Sequence, residues 1–332
     1  MRDKARQYTD RHLLEMEAHI RTVYRQAHDE ITEKWNAYMA RGQERLNDLY
    51  SVFMTAQSAE KQAAMIRYQD AVRAYTLQNR WYKDVVDETT YRLAHTNELA
   101  IAYVNGEIPE IYAANYNFVD ADAFLIRSSW TLRNEQMIRN LMIDSLPQKS
   151  LNYAKDMLWN SRQINNAVLQ GILQGESIPK IAKRLLPIVG NNEKASIRTA
   201  RTLVTSAENQ GRQDRYEEYE AEGIITHKVW IATPDNRVRD WHLSMDGQEV
   251  DVDESFIDGH GEELDYPGDP SGSPQTVYNC RCTMRSQFIG VRNSDGSITS
   301  MSRYRDGTSL HDRQIAAERA RRYEEEWEDE YE

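Results

Sequence analysis

Both cysteines of this 332-residue chain sit in one tripeptide, Cys280 and Cys282 flanking Arg281. A disulfide between positions i and i+2 would close a strained ring, so the pair is not read as a covalent staple. On a β-strand, side chains two apart point to one face, and the composition of residues 276–284 reads as a strand. Two thiols presented that way can hold one soft cation, with His242 as a third ligand and His227, His260 or an aspartate as a fourth. The alternative is that both thiols pack as small apolar groups while Asn279 and Arg281 brace the loop. A strong zinc signature carries two paired ligand sets, and only one pair is present here. The expectation is a chain without a cofactor, with zinc at His242, Cys280 and Cys282 as the other outcome.

The same stretch, residues 230–285, also gathers Asp235, Arg237, Arg239, Asp240, Asp246 and Asp269. Arg239 and His242 are three apart and would share one helical face. Asp235 with His242 has the chemistry of an acid–base pair for hydrolysis. An Asp–Arg ion pair is the structural alternative. Neither Gly-x-Ser-x-Gly, His-Glu-x-x-His nor a phosphate loop occurs anywhere in the chain. A protein without catalytic activity is therefore expected, with a metal-dependent hydrolase as the competing class.

The elements that must position these residues follow from glycine, proline and periodicity. Only Gly42 and Gly106 precede residue 170, and the first proline is Pro109. Ile20, Tyr24, Ala27, Ile31, Trp35 and Tyr38 recur at steps of three and four, one face of a helix. Residues 5–104 thus predict two or three long helices, with a break at Gly42 and an irregular connector from Pro109 to Ala121. Further helices are predicted at 124–143 and 149–173, and a short one follows the Ser177 cap and Pro179. The next helix, capped at Asn191 or Asn192, buries Ile197, Ala200, Val204, Ala207 and Gly211 and ends at Gly223. Beyond it, residues 228–232 read as a strand, and Asp246-Gly247 as a two-residue hairpin turn between Leu243 and Val250.

The fold class expected is mainly α, with a long helical N-terminal arm and a small α+β C-terminal domain. The expected domains are 1–150 as helical arm, 151–290 as the second module and 291–332 as a charged, disordered tail. Trp35, Tyr38, Trp81, Tyr82 and Tyr91 are more aromatics than a free helix exposes, which makes the arm a candidate contact surface.

Net charge is −12, from 41 basic and 53 acidic side chains. Seven of those carboxylates lie between Tyr323 and Glu332, a run expected to be solvated, and the remainder is nearly balanced at −5. No basic surplus argues for nucleic-acid binding, although Arg201, Arg212 and Arg215 on one helix could give weak DNA contact. No run of 18 apolar residues predicts a membrane span, and the N-terminus has no apolar secretory stretch.

Several motifs in order carry a resemblance. Trp230 to Asp235 is followed by Arg237 and Arg239, then His242, Met245-Asp246-Gly247 and Phe256. Residues Tyr266 to Pro270 and Asn279-Cys280-Arg281-Cys282 complete the series. Upstream lie Gly175 to Ser177 and the helix from Ala200-Arg201-Thr202 to Asn209. Over about residues 170–286 this resembles the Mu F-like phage head-morphogenesis family. Leu203 stands where that family usually has an acid, so no role for that acid carries over. The resemblance implies a minor head protein that binds the portal and capsid or scaffold proteins, enters the procapsid, and influences packaged DNA. It implies a place in the virion, at the capsid interior or portal vertex, after assembly in the host cytoplasm. Some relatives carry a toxin domain after the Cys-Arg-Cys motif, for which the 49 residues after Thr283 leave no room. Arg201-Thr202 also resembles the first strand of an ADP-ribosyltransferase, but it falls within a helical pattern.

Overall fold

The computed structural model describes residues 4–76, 80–118, 146, 148–150, 152–233 and 235–300. The helix expected at 124–143 and residues 301–332 of the expected tail lie outside them, while the start of that tail is ordered as the end of one strand and the whole of another, at 283–292 and 298–300. The described chain is mainly helical, with a small antiparallel sheet near its C-terminal end. The helices are α1 (Lys4–Thr55), α2 (Ser58–Tyr75), α3 (Arg80–Phe118), α4 (Tyr153–Leu173), α5 (Ile178–Lys183), α6 (Leu186–Ala221), α7 (Asp240–Leu243) and α8 (Pro274–Val277). The strands are β1 (Ile224–Ile231), β2 (Glu249–Asp251), β3 (Phe256–Ile257), β4 (Glu263–Leu264), β5 (Thr283–Arg292) and β6 (Ile298–Ser300).

The chain divides into two compact units, one of residues 17–103 with 150–197, the other of 1–16, 104–149 and 198–332. The first is all helical. Trp35 and Tyr38, on the predicted helical face, are buried in it, and so is Tyr82, also one of the expected contact aromatics. The Trp35 ring meets Tyr82 edge-on at 6.3 Å, and its indole N–H donates to Thr89 Oγ1 at 2.9 Å. Tyr38 and Tyr75 stack at 5.2 Å, and each hydroxyl donates to the other's carbonyl. An aromatic ring with a hydroxyl or N–H can be buried when that polar tip finds a partner, and each of these does. Tyr91 remains exposed. Gly42 does not break α1: a Cβ there would run into the Tyr75 ring, so the glycine is space for close packing.

Asparagines seam the same unit, Asn97 donating to Asn192 at 2.9 Å and Asn192 to Asn160 at 3.0 Å. Asn192 is therefore an interior residue of α6, which begins at Leu186, rather than the cap of a later helix. The Ser177 position starts α5 as expected, with Pro179 in its first turn.

The second unit contains every described strand, in the order β2-β1-β5-β6, all antiparallel, plus the β3–β4 hairpin. Helix α3 runs on to Phe118 through Pro109, correcting the expected connector. An interior proline costs about 3 kcal/mol. Burial of Ile108, Ile111, Tyr112 and Tyr116 around it outweighs that, at roughly 1.5–3 kcal/mol for each large side chain. The predicted apolar stripe of α6 is buried, and Gly223, at φ +84°, ends the helix. Residues 274–277 form α8 instead of a strand, so Cys280 precedes β5. Gly247 does turn the chain at φ +81°, but β2 then pairs with β1, Val250 opposite Lys228, because Leu243 belongs to α7.

Candidate functional site: a buried His–Cys–Cys cluster

Strand β1 places Trp230 opposite Met284 of β5, and the short connections at both ends of this pair carry the motif residues. After β1, Asp235 accepts a bidentate ion pair from Arg281, with Arg281 Nη2 donating to Asp235 Oδ1 at 3.0 Å. Its Oδ1 also takes the backbone N–H of Arg237. The partner of Asp235 is thus Arg281, and Arg239 instead donates to the carbonyl of Tyr278. Asp246 accepts the backbone N–H of Ala232 at 3.0 Å, and Gly247 N–H donates to Trp230 O at 2.9 Å. These motif residues tie loops to strand ends.

His242 projects from α7 into the core, and the loop between α8 and β5 carries the two cysteines. All three are buried. His242 Nδ1 lies 3.6 Å from Cys280 Sγ and 3.5 Å from Cys282 Sγ. The backbone N–H of Cys282 donates to Cys280 Sγ at 3.4 Å. Trp230 closes the site, edge-on to His242 at 5.6 Å and to Phe256 at 5.2 Å. A hydrogen bond from Cys282, and then His242 working against burial, holds the Cys280 thiol well below its ordinary pKa. Donation to Cys280, together with burial, pushes Cys282 well above it. His242 Nε2 is buried and has no hydrogen-bond partner among the described residues.

Of the expected fourth ligands, His227 pairs with Glu249 and Asp251 across β1 and β2, and His260 lies against the Trp241 ring. Neither joins the cluster. A second grouping, His12 with Glu107 and Glu110, is half-buried, with His12 Nε2 2.7 Å from Glu107. That is a histidine–carboxylate contact between helices.

Helix α6 fixes the cysteine loop through polar side chains to which sequence reasoning did not assign this role. Thr202 accepts the N–H of Asn279 at 2.9 Å. Thr205 donates to Cys280 O at 2.8 Å, and Asn209 donates to Cys282 O at 3.4 Å while accepting Met284 N–H at 3.1 Å. Arg212 donates to Met284 O at 3.1 Å. Their spacing, three, four and three, is a second helical stripe beside the apolar one, and that was the available signal. Asn279 itself takes φ +56°, a left-handed conformation that asparagine tolerates better than most residues.

Arg201, Arg212 and Arg215, expected toward DNA, are all buried. Arg212 pairs with Glu208, and Arg215 with Glu218 while lying over the Tyr116 and Tyr219 rings. Their charges are engaged inside the protein, which corrects that expectation.

This arrangement, an antiparallel strand pair closed by an Asn-Cys-Arg-Cys loop and held by one long helix, coincides with a recognised domain. Residues 162–285 match the family model described as Phage Mu protein F like protein. The chain is 30% identical over 151 residues to Minor head protein GP7 of Bacillus phage SPP1, covering 44% of this chain and 46% of that one. It is also 30% identical over 189 residues to NAD(+)--arginine ADP-ribosyltransferase EFV of Enterococcus faecalis (strain ATCC 700802 / V583), covering 54% of this chain and 38% of that one. Uncharacterized protein YqbB of Bacillus subtilis (strain 168) is 27% identical over 164 residues, 47% of this chain and 53% of that one. The chain spans roughly two-fifths to half the length of these curated relatives. No solved structure matches it significantly.

Proposed function

We propose that the protein is a phage minor head protein that associates with the portal and capsid proteins during head assembly and has no catalytic role. The observation that carries this reading is the family match over residues 162–285, together with the likeness to Minor head protein GP7. Burial of His242, Cys280 and Cys282 supports the non-catalytic part, because no substrate reaches a nucleophile enclosed on all sides. The transferase named among the relatives shares 38% of its length with this chain, and no observation at the site favours carrying its activity over.

The contact role expected of residues 1–150 loses Trp35, Tyr38 and Tyr82 to the core and rests on exposed Tyr91 and Leu99 of α3. The test is co-expression of the full chain with a portal protein from the same phage, followed by affinity recovery and sedimentation of assembled particles. Co-recovery with portal is the expected result, with Y91E/L99E reducing it several-fold. A chain absent from both portal and particles would overturn the assembly reading. Undiminished recovery of the double variant would move the contact to another surface.

A further inference from the structure

We propose that His242, Cys280 and Cys282 bind one zinc-class divalent ion that fastens α7 to the loop preceding β5. Tetrahedral zinc sits about 2.3 Å from a thiolate and about 2.0–2.1 Å from an imidazole nitrogen, which separates sulfur from nitrogen by about 3.6 Å along a tetrahedral edge. The two sulfurs lie 3.6 and 3.5 Å from the same nitrogen, Nδ1 of His242. All three donor atoms fall within 4.8 Å of one another.

Hydrogen bonding alone explains this geometry less well. A neutral imidazole nitrogen offers a single lone pair or a single N–H, so it can serve one sulfur properly and not two at nearly equal distance. An ion in front of Nδ1 satisfies both sulfurs at once. The N–H of Cys282 aimed at Cys280 Sγ favours the thiolate that a metal requires.

The site is also built from parts that lie far apart in sequence. Thr205, Asn209 and Arg212 hold the carbonyls of Cys280, Cys282 and Met284, so the sulfurs are positioned before any ion arrives. Trp230 and Phe256 shield the centre from solvent. The described residues supply three protein donors, all of them buried. Their enclosure makes the ion a structural cross-link.

The test uses the full chain, expressed without a histidine tag. Elemental analysis should find about one zinc per chain. Refolding with a chelator should lower the melting temperature by roughly 5 °C or more. Replacement by cobalt(II) should give the visible and near-ultraviolet absorption of thiolate-bound cobalt, weakened in Cys280→Ser and in Cys282→Ser. If those variants fail to fold, the cobalt spectrum of the wild-type chain decides the matter alone. Less than about 0.2 zinc per chain, a melting curve unmoved by chelator and colourless cobalt protein would overturn the proposal. The centre goes beyond the assembly reading and is judged on the isolated chain, so either can fail without the other.

Discussion

Lys228 is the residue whose environment is least like that of an ordinary surface lysine. Its side chain is buried, donating to Gln213 Oε1 at 3.2 Å and to Asp265 O at 2.9 Å, with the ammonium 5.3 Å from the centre of the Phe256 ring. Burial pushes its pKa down to about 8, against the opposing charges of Asp265, Glu217, Asp253 and Asp269. Between that value and the ordinary lysine value of 10.5, the unfolded chain holds a proton that the folded chain has lost. Stability therefore rises with pH across that window, by at most about 1.4 kcal/mol per pH unit, while the burial cost is fully present below it. Denaturant melts of wild type and Lys228→Met at several pH values should show that rise in the wild type alone. Parallel curves would show that the lysine is protonated throughout. Its residue type suggests the surface, whereas strand alternation places it on the buried face with Thr226 and Trp230, and a helix and a loop elsewhere in the chain supply its partners.

At the level of elements, α6 does two jobs with two stripes. Its apolar face was legible from Ile197, Ala200, Val204, Ala207 and Gly211, because a period of 3.6 is set by the helix itself. Gly211 has a second role that the period does not reveal, since a Cβ there would crowd the backbone of Tyr112 and Tyr116 in α3. Backbone cannot swing aside as a side chain can. Gly211→Ala should therefore destabilise the protein by about 1–3 kcal/mol, in spite of alanine's better helix propensity. Gly190, near the start of the same helix, has open space around it, and Gly190→Ala should stabilise by about 0.5–1 kcal/mol. Urea denaturation of the two variants is the check, and a Gly211→Ala protein as stable as wild type would refute the close approach. The strand expected at 276–284 and the connector expected after Pro109 were misread for a related reason. Local composition there suited more than one structure, and packing chose between them.

For the whole molecule, the net charge of −12 and the interior placement of Arg201, Arg212 and Arg215 leave little for a phosphate backbone to bind. Any association with DNA should be weak and should fall about tenfold or more between roughly 50 and 200 mM salt. Titration of labelled duplex across that range is the measurement, and tight binding that survives physiological salt would contradict the prediction. By itself the sequence determined the helical character of the long N-terminal region, the end of α6 at Gly223, the β1 core and the grouping of polar residues within 230–285. Each of these is written in spacing, glycine placement or turn chemistry between near neighbours. Only the tertiary structure decided that Asp235 meets Arg281, that His242 meets both cysteines, and that three arginines turn inward. A buried polar or amphipathic side chain is tolerated only where a partner waits for it. For Asp235 and His242 those partners lie about forty residues away along the chain, where no local pattern reaches.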